Sequence, residues 1–136
     1  VTPQEELFIA AETARAHAYA PYSRFAVGAA LRAEDGRIYA GANAENAAYP
    51  LGQCAEASAI GAMVTAGARR ILEIAVVGGG EELCTPCGGC RQRLREFAAP
   101  EAVVHILGPE GLRRSLRLGE LLPLSFGPAN LGRTAG

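Results

Sequence analysis

Pro86-Cys87-Gly88-Gly89-Cys90-Arg91-Gln92, read together with Cys54-Ala55-Glu56, constrains this chain more than any other feature. Cys87 and Cys90 have the C-x2-C spacing that lets two thiolates grip one metal ion. Pro86 before them, and Leu94 and Phe97 in helical period after them, predict a helix that starts at Cys87. Thiols on the first turn of a helix lie in the field of its N-terminal dipole, which favours thiolate. Cys54 opens a second apolar-periodic stretch, Ala55, Ala59, Met63 and Ala66, in the same way. A fold that points both helix starts at one pocket gathers three thiolates. A zinc ion would then lack one donor of its tetrahedron, and catalytic zinc keeps that position for water. Glu56 lies one turn from the same point, where a carboxylate can move protons beside an acidified water.

Blander readings exist for each residue alone. A free cysteine is often a small buried hydrophobe, and a glutamate near a helix start often only complements the dipole. The combination outweighs them. Cys84, Cys87 and Cys90 also begin a bacterial ferredoxin run, but Leu94 stands where a fourth cysteine is needed. A dithiol redox motif has no use for Cys54 or Glu56. A structural zinc with Cys84 as fourth ligand stays open at this level.

The rest of the chain reads as alternating elements. Thr2-Pro3-Gln4-Glu5 is a capping-box start, and Leu7, Ala11, Ala14 and Ala18 share the face of a helix that Pro21 ends. Phe25, Val27, Ala29 and Leu31 alternate as a strand, Asp35-Gly36 turns the chain, and Ile38, Ala40 and Ala42 run back. Helix from about Cys54 to Thr65 stops at Gly67. Leu72–Val77 and Val103–Leu107 are short apolar runs suited to covered strands. Leu112–Leu116 is a weaker strand, Leu118–Leu122 a short helix, and 127–136 a loose tail. Right-handed crossover makes the strands at 72 and 103 parallel. The expectation is one domain over 1–136: a single mixed sheet with helices on both faces, and both cysteine-bearing helix starts opening at one edge.

Charge and composition exclude several classes. Thirteen basic against 14 acidic residues leave a net charge of −1, so nothing favours nucleic acid or an anionic membrane surface. No apolar run reaches the ~20 residues of a membrane span. The first residues lack the basic and apolar regions of a signal peptide, and four cysteines crowded toward one site suit a reducing compartment, so a cytoplasmic location is expected.

The cysteine–glutamate pattern resembles the signature of the zinc-dependent nucleobase deaminases. More narrowly, the chain is similar to the small homotetrameric cytidine deaminases from Leu7 to Phe126. The likeness includes Ala18-Tyr19-Ala20-Pro21-Tyr22-Ser23, Phe25-Ala26-Val27-Gly28-Ala29-Ala30-Leu31, Asn43-Ala44-Glu45-Asn46-Ala47-Ala48-Tyr49 and Leu121-Leu122-Pro123-Leu124-Ser125-Phe126. The resemblance implies a three-layer α/β/α domain with a mixed sheet of about five strands. It implies one Zn²⁺ per subunit on Cys54, Cys87 and Cys90, with Glu56 as proton shuttle. Asn43 and Glu45 match a pair that hydrogen-bonds ribose, Phe25 a ring packed on the pyrimidine, and the Ala55 backbone a contact to the base carbonyl. Phe126 matches an aromatic that reaches a neighbouring subunit's pocket. The activity implied is hydrolytic deamination of cytidine and 2′-deoxycytidine to uridine and 2′-deoxyuridine, with ammonia released, in pyrimidine salvage. The alternative is deamination of another aminopyrimidine nucleoside, such as blasticidin S. One departure stands out: many three-cysteine relatives carry Arg after the Cys-Ala-Glu triplet, where it offsets thiolate charge, and here that place is Ala57. Two helix N-termini supply roughly +0.5 charge each. Arg91, or another arginine, is expected to supply the rest.

Overall fold

The computed structural model describes residues 1–133. Helix α1 (Pro3–Arg15) begins where its cap is written: Thr2 Oγ1 accepts the Glu5 N–H at 3.1 Å, with Pro3 at the first helical position. It ends at Arg15, earlier than Pro21 implied. The reason is a competing extended segment. Tyr19 N–H bonds Asn43 O at 2.9 Å and Glu45 N–H bonds Tyr19 O at 2.8 Å, a parallel bridge that requires non-helical backbone at Tyr19. Leu7 and Ala11 of the expected face are fully buried, whereas Ala18 falls outside the helix.

Strands β1 (Gly28–Ala33) and β2 (Ile38–Ala42) form the expected hairpin, with Gly36 at φ 80° in the turn. β1 starts three residues after Phe25, because the side chain of Asn43 takes the place of the ladder there. Its Oδ1 accepts Val27 N–H and its Nδ2 donates to Phe25 O, both at 2.9 Å. Helix α2 (Ala55–Thr65) is followed by Gly67 at φ 100°, the left-handed stop its sequence called for. β3 (Ile71–Val77), α3 (Gly88–Phe97), β4 (Ala98–Gly108), β5 (Gly111–Arg117) and the one-turn α4 (Leu118–Leu121) complete the chain. β4 is longer than its apolar run because Ala98 already pairs with Ile71. The tail is more ordered than expected: Gly127 and Pro128 are buried and a 3-10 turn spans Pro128–Leu131, while 134–136 lie outside the described residues.

The sheet order is β2-β1-β3-β4-β5, with β3 and β4 parallel and every other pair antiparallel. This is the expected mixed, five-stranded α/β architecture. Alternation along each strand divides the apolar residues between two layers. Ala29, Leu31, Ile74, Val76, Val104 and Ile106 face α2, α3 and α4. Ala30, Ala75, Val77 and Leu107 face α1 through Leu7 and Ala11. Burying a leucine such as Leu7 stabilises by about 1.5–3 kcal/mol. Two glycines let helices lie directly on the sheet. A Cβ at Gly28 would strike Ala11 O and Arg15 N of α1, and one at Gly41 would come within 2.5 Å of Ala59 N in α2. The consequence for the site is position: α2 and α3 are seated side by side on one face, with their N-termini adjacent.

Candidate metal centre and substrate groove

Cys54 and Cys87 are the N-cap residues of α2 and α3. Their backbone is extended (φ −73°, ψ 154° and φ −64°, ψ 167°), and neither thiol is spent on capping its own helix. Cys90 follows on the first turn of α3 and is fully buried. The three Sγ atoms lie within 4.8 Å of one another. A tetrahedral zinc with Zn–S bonds of about 2.3 Å holds its sulfurs roughly 3.8 Å apart. The donor set is therefore compatible with zinc, and soft thiolates select such an ion over magnesium or calcium.

Cys84 is not part of this cluster. It is half-buried beside Gly78, and burial pushes its thiol up to about 11; its position outside the cluster is what keeps it from ligation. Three protein donors rather than four leave the centre open, the catalytic pattern.

Burial raises the thiols of Cys54 and Cys90, while the Cys90 backbone N–H, the largest influence on Cys87, lowers its thiol. A bound dication reverses this balance, since a coordinating thiol is deprotonated outright. Glu56, in the first turn of α2, is only 4 % exposed. Burial raises its carboxyl above the ordinary range, opposed by its own backbone N–H, the Cys90 thiol and the charge of Arg93. A buried carboxyl beside a thiolate cluster, able to hold or release a proton, is suited to acid–base work.

The other expected site residues lie on two nearby segments. Glu45 is anchored by three donors: Tyr22 N–H at 2.9 Å, Ser23 N–H at 3.1 Å and the Ser23 hydroxyl. The Ser23 hydroxyl contributes most to lowering its carboxyl. This anchor was not legible in advance, although Tyr22-Ser23 sits at the end of an extended turn that faces the returning strand. Asn43 fixes the backbone on both sides of Ala26, and each of its amide atoms keeps a further hydrogen-bonding position. Phe25 is half-exposed and Ala55 fully buried. A cavity of about 360 Å³ is lined by Tyr22, Ser23, Glu45, Asn46, Tyr49 and Gly52. It includes Glu45 but none of the three thiols. Phe126 is exposed, and its carbonyl accepts Gln92 Nε2 at 2.8 Å. Arg95 Nε donates to Ser125 Oγ at 2.9 Å, so α3 holds the C-terminal segment as well as the cysteines.

Arg91 is a brace. Its Nε donates to Pro86 O and its Nη1 to Leu121 O, both at 2.7 Å, and its Nη2 to Thr85 Oγ1 at 3.2 Å. The arginine that reaches a thiol is Arg93, whose Nη1 lies 3.8 Å from Cys90 Sγ. The signal for it was the i, i+3 spacing on α3.

Comparison with known proteins agrees with this geometry. Residues 1–106 match the family model described as the cytidine and deoxycytidylate deaminase zinc-binding region. A cytidine deaminase of Sporosarcina psychrophila is 41% identical over 131 residues, covering 96% of each chain. One from Mycobacterium tuberculosis is 44% identical over 124 residues, 90% of this chain and 89% of the relative. The crystal structure of cytidine deaminase from Burkholderia pseudomallei superposes with a TM-score of 0.86 at 43% identity, covering 93% of this chain and all of that one.

Proposed function

The chain belongs to the cytidine and deoxycytidylate deaminase family, a family of zinc-binding hydrolytic enzymes, and from that premise we propose that it converts cytidine and 2′-deoxycytidine to the corresponding uridines. The single observation that carries the reading is the meeting of three thiols from two helix starts with one buried carboxyl. The relatives bear the name cytidine deaminase, and this chain spans nearly their whole length.

Cys54, Cys87 and Cys90 would hold the metal. Zinc bound there supplies acidity to a water molecule and makes it a nucleophile near neutral pH. The protein's own part falls to Glu56. It accepts a proton from the attacking water and delivers it to N3 of the cytosine ring, which makes C4 electrophilic. The hydroxide adds to C4; Glu56 then takes the proton of the new C4 hydroxyl and carries it to the exocyclic amine, the C4–N bond breaks as the C4 carbonyl forms, and ammonia leaves. One carboxylate serves both ends because burial keeps it from bulk water and the α2 N-terminus fixes its position. Phe25 packs on the pyrimidine, the Ala55 backbone meets the base carbonyl, and Asn43 with Glu45 receives the ribose hydroxyls. The Ser23 and Tyr22 anchors of Glu45 support that role, since a pre-oriented carboxylate needs no rearrangement to accept a hydroxyl.

The proposal extends to a homotetramer working in pyrimidine salvage in the cytoplasm, with a single deaminase domain over 1–136. Support for assembly comes from large apolar side chains left in water: Tyr49 at 74 % exposure, Leu51 at 71 %, Leu124 at 105 % and Phe126 at 57 %. Phe126 then enters a neighbouring subunit's pocket.

Glu56→Ala tests the mechanism. The variant is expected to keep its fold and bound zinc but lose turnover of cytidine by at least about 100-fold to 10,000-fold. Near-parent turnover would refute the assignment. A substrate panel that includes blasticidin S separates the nucleoside reading from its alternative.

A further inference from the structure

A zinc ion on three thiolates carries a formal negative charge, and the buried Glu56 beside it adds another when ionised. An anionic cluster at partial burial needs a compensating cation or strong donors. The two helix N-termini provide backbone N–H groups, but the first turn of α2 carries an acid, Glu56, and no basic residue. The guanidinium of Arg91, the neighbour of Cys90 in sequence, is turned toward Pro86 O, Leu121 O and Thr85 Oγ1, and none of its hydrogen bonds reaches a thiol.

We propose that Arg93 is the positioning residue that balances the thiolate cluster, donating from its guanidinium to Cys90 Sγ; the inference rests on the metal-centre reading above. Three observations support it. Arg93 sits three residues after Cys90, so both side chains emerge on one face of α3. Its Nη1 is 3.8 Å from the sulfur, within the reach of an N–H···S contact. None of the ion pairs among the described residues engages Arg93, so its charge is not neutralised by a carboxylate elsewhere.

Gly89 flanks the arrangement: a Cβ there would come to 3.4 Å from Arg93 Nη1, an ordinary contact distance, so the guanidinium passes directly beside it on its way to the cluster. Alanine at 57 and arginine at 93 therefore form one consistent set: the first turn of α2 carries no cation, Arg91 at the start of α3 is turned to other partners, and the guanidinium that reaches the sulfur comes from the next turn. An N–H donor and a positive charge outside the ligand sphere stabilise the sulfur lone pairs and orient the ligand. Loss of such a partner typically costs about 10-fold to 100-fold in metal affinity.

The test compares parent, Arg93→Met and Arg93→Lys protein. Zinc affinity is read by competition with a chromophoric chelator, and Co²⁺ is used as a spectroscopic probe of the same centre. Arg93→Met is expected to bind zinc more weakly by about 10-fold or more. Its thiolate-to-cobalt charge-transfer band should move to longer wavelength, because sulfur electrons are held less tightly without the guanidinium. Arg93→Lys should recover most of the affinity. The metal-free proteins should share one thermal midpoint, since the Arg93 side chain is largely exposed. A Met variant with parental zinc affinity and an unshifted cobalt band overturns the proposal. So does equal loss of affinity in Met and Lys variants with lowered metal-free stability, which marks a packing role. Failure of the parent protein to bind zinc or cobalt through sulfur refutes the metal-centre reading itself, a separate and recognisable result.

Discussion

At the scale of single residues, the carboxylates of this chain divide by environment. Glu56 is buried and raised, whereas the exposed Glu34 and the half-buried Glu45 are lowered by backbone and hydroxyl donors. Glu34 accepts the N–H groups of Arg69 at 3.1 Å and Arg70 at 3.2 Å, and so ties the start of the β1–β2 turn to the entry of β3. Arg69 N–H is the largest cause of its lowered carboxyl. A carboxyl depressed in the folded state adds stability above its ordinary value of 4.5, and that stability is lost as pH falls through the folded value. Glu34→Gln should therefore lower the urea midpoint at neutral pH and flatten its fall below pH 4.5, the two curves converging in acid. Parallel curves at all pH values would contradict this. The ligand cysteines were legible because their chemistry depends on spacing and helix starts. The charge-balancing arginine was not, since Arg91 and Arg93 differ only in where α3 points them, and that depends on Leu121 and Thr85 arriving from elsewhere.

At the scale of elements, local signals located what local physics controls. Thr2-Pro3 fixed the start of α1, Asp35-Gly36 the hairpin and Gly67 the stop of α2. The end of α1 and the start of β1 escape local signals because non-local partners decide them: the Tyr19–Ala44 bridge unwinds one, and the Asn43 amide replaces ladder bonds in the other. Both events deliver Asn43 and Glu45 beside the helix starts. The seating of α2 depends on Gly41, where a Cβ would press on Ala59 N at 2.5 Å and on Ala55 O at 2.8 Å. Gly41→Ala should cost about 1–3 kcal/mol by overpacking. Because α2 carries Cys54 and Glu56, turnover should fall in the same variant under conditions where it remains folded. A stable, fully active Gly41→Ala protein would show that α2 can shift without disturbing the site.

At the scale of the whole molecule, the sheet's two covered faces account for stability, and the apolar side chains left outside call for partners. Leu124 is the sharpest case, a non-glycine residue at φ 52° with its side chain wholly in water. Such backbone strain, of order 1–3 kcal/mol, persists only where surroundings impose it. For the tetramer proposed above, Leu124→Asp should shift the assembly to smaller species in light scattering and reduce turnover with it; an unchanged mass would remove Leu124 from the interface. Everything else depends on the centre where α2 and α3 meet. Zinc-edge X-ray absorption of the purified protein tests it most directly. Three sulfurs at about 2.3 Å and one lighter atom are predicted. Four sulfurs, which would recruit Cys84 and close the site, or a shell without sulfur, would contradict it.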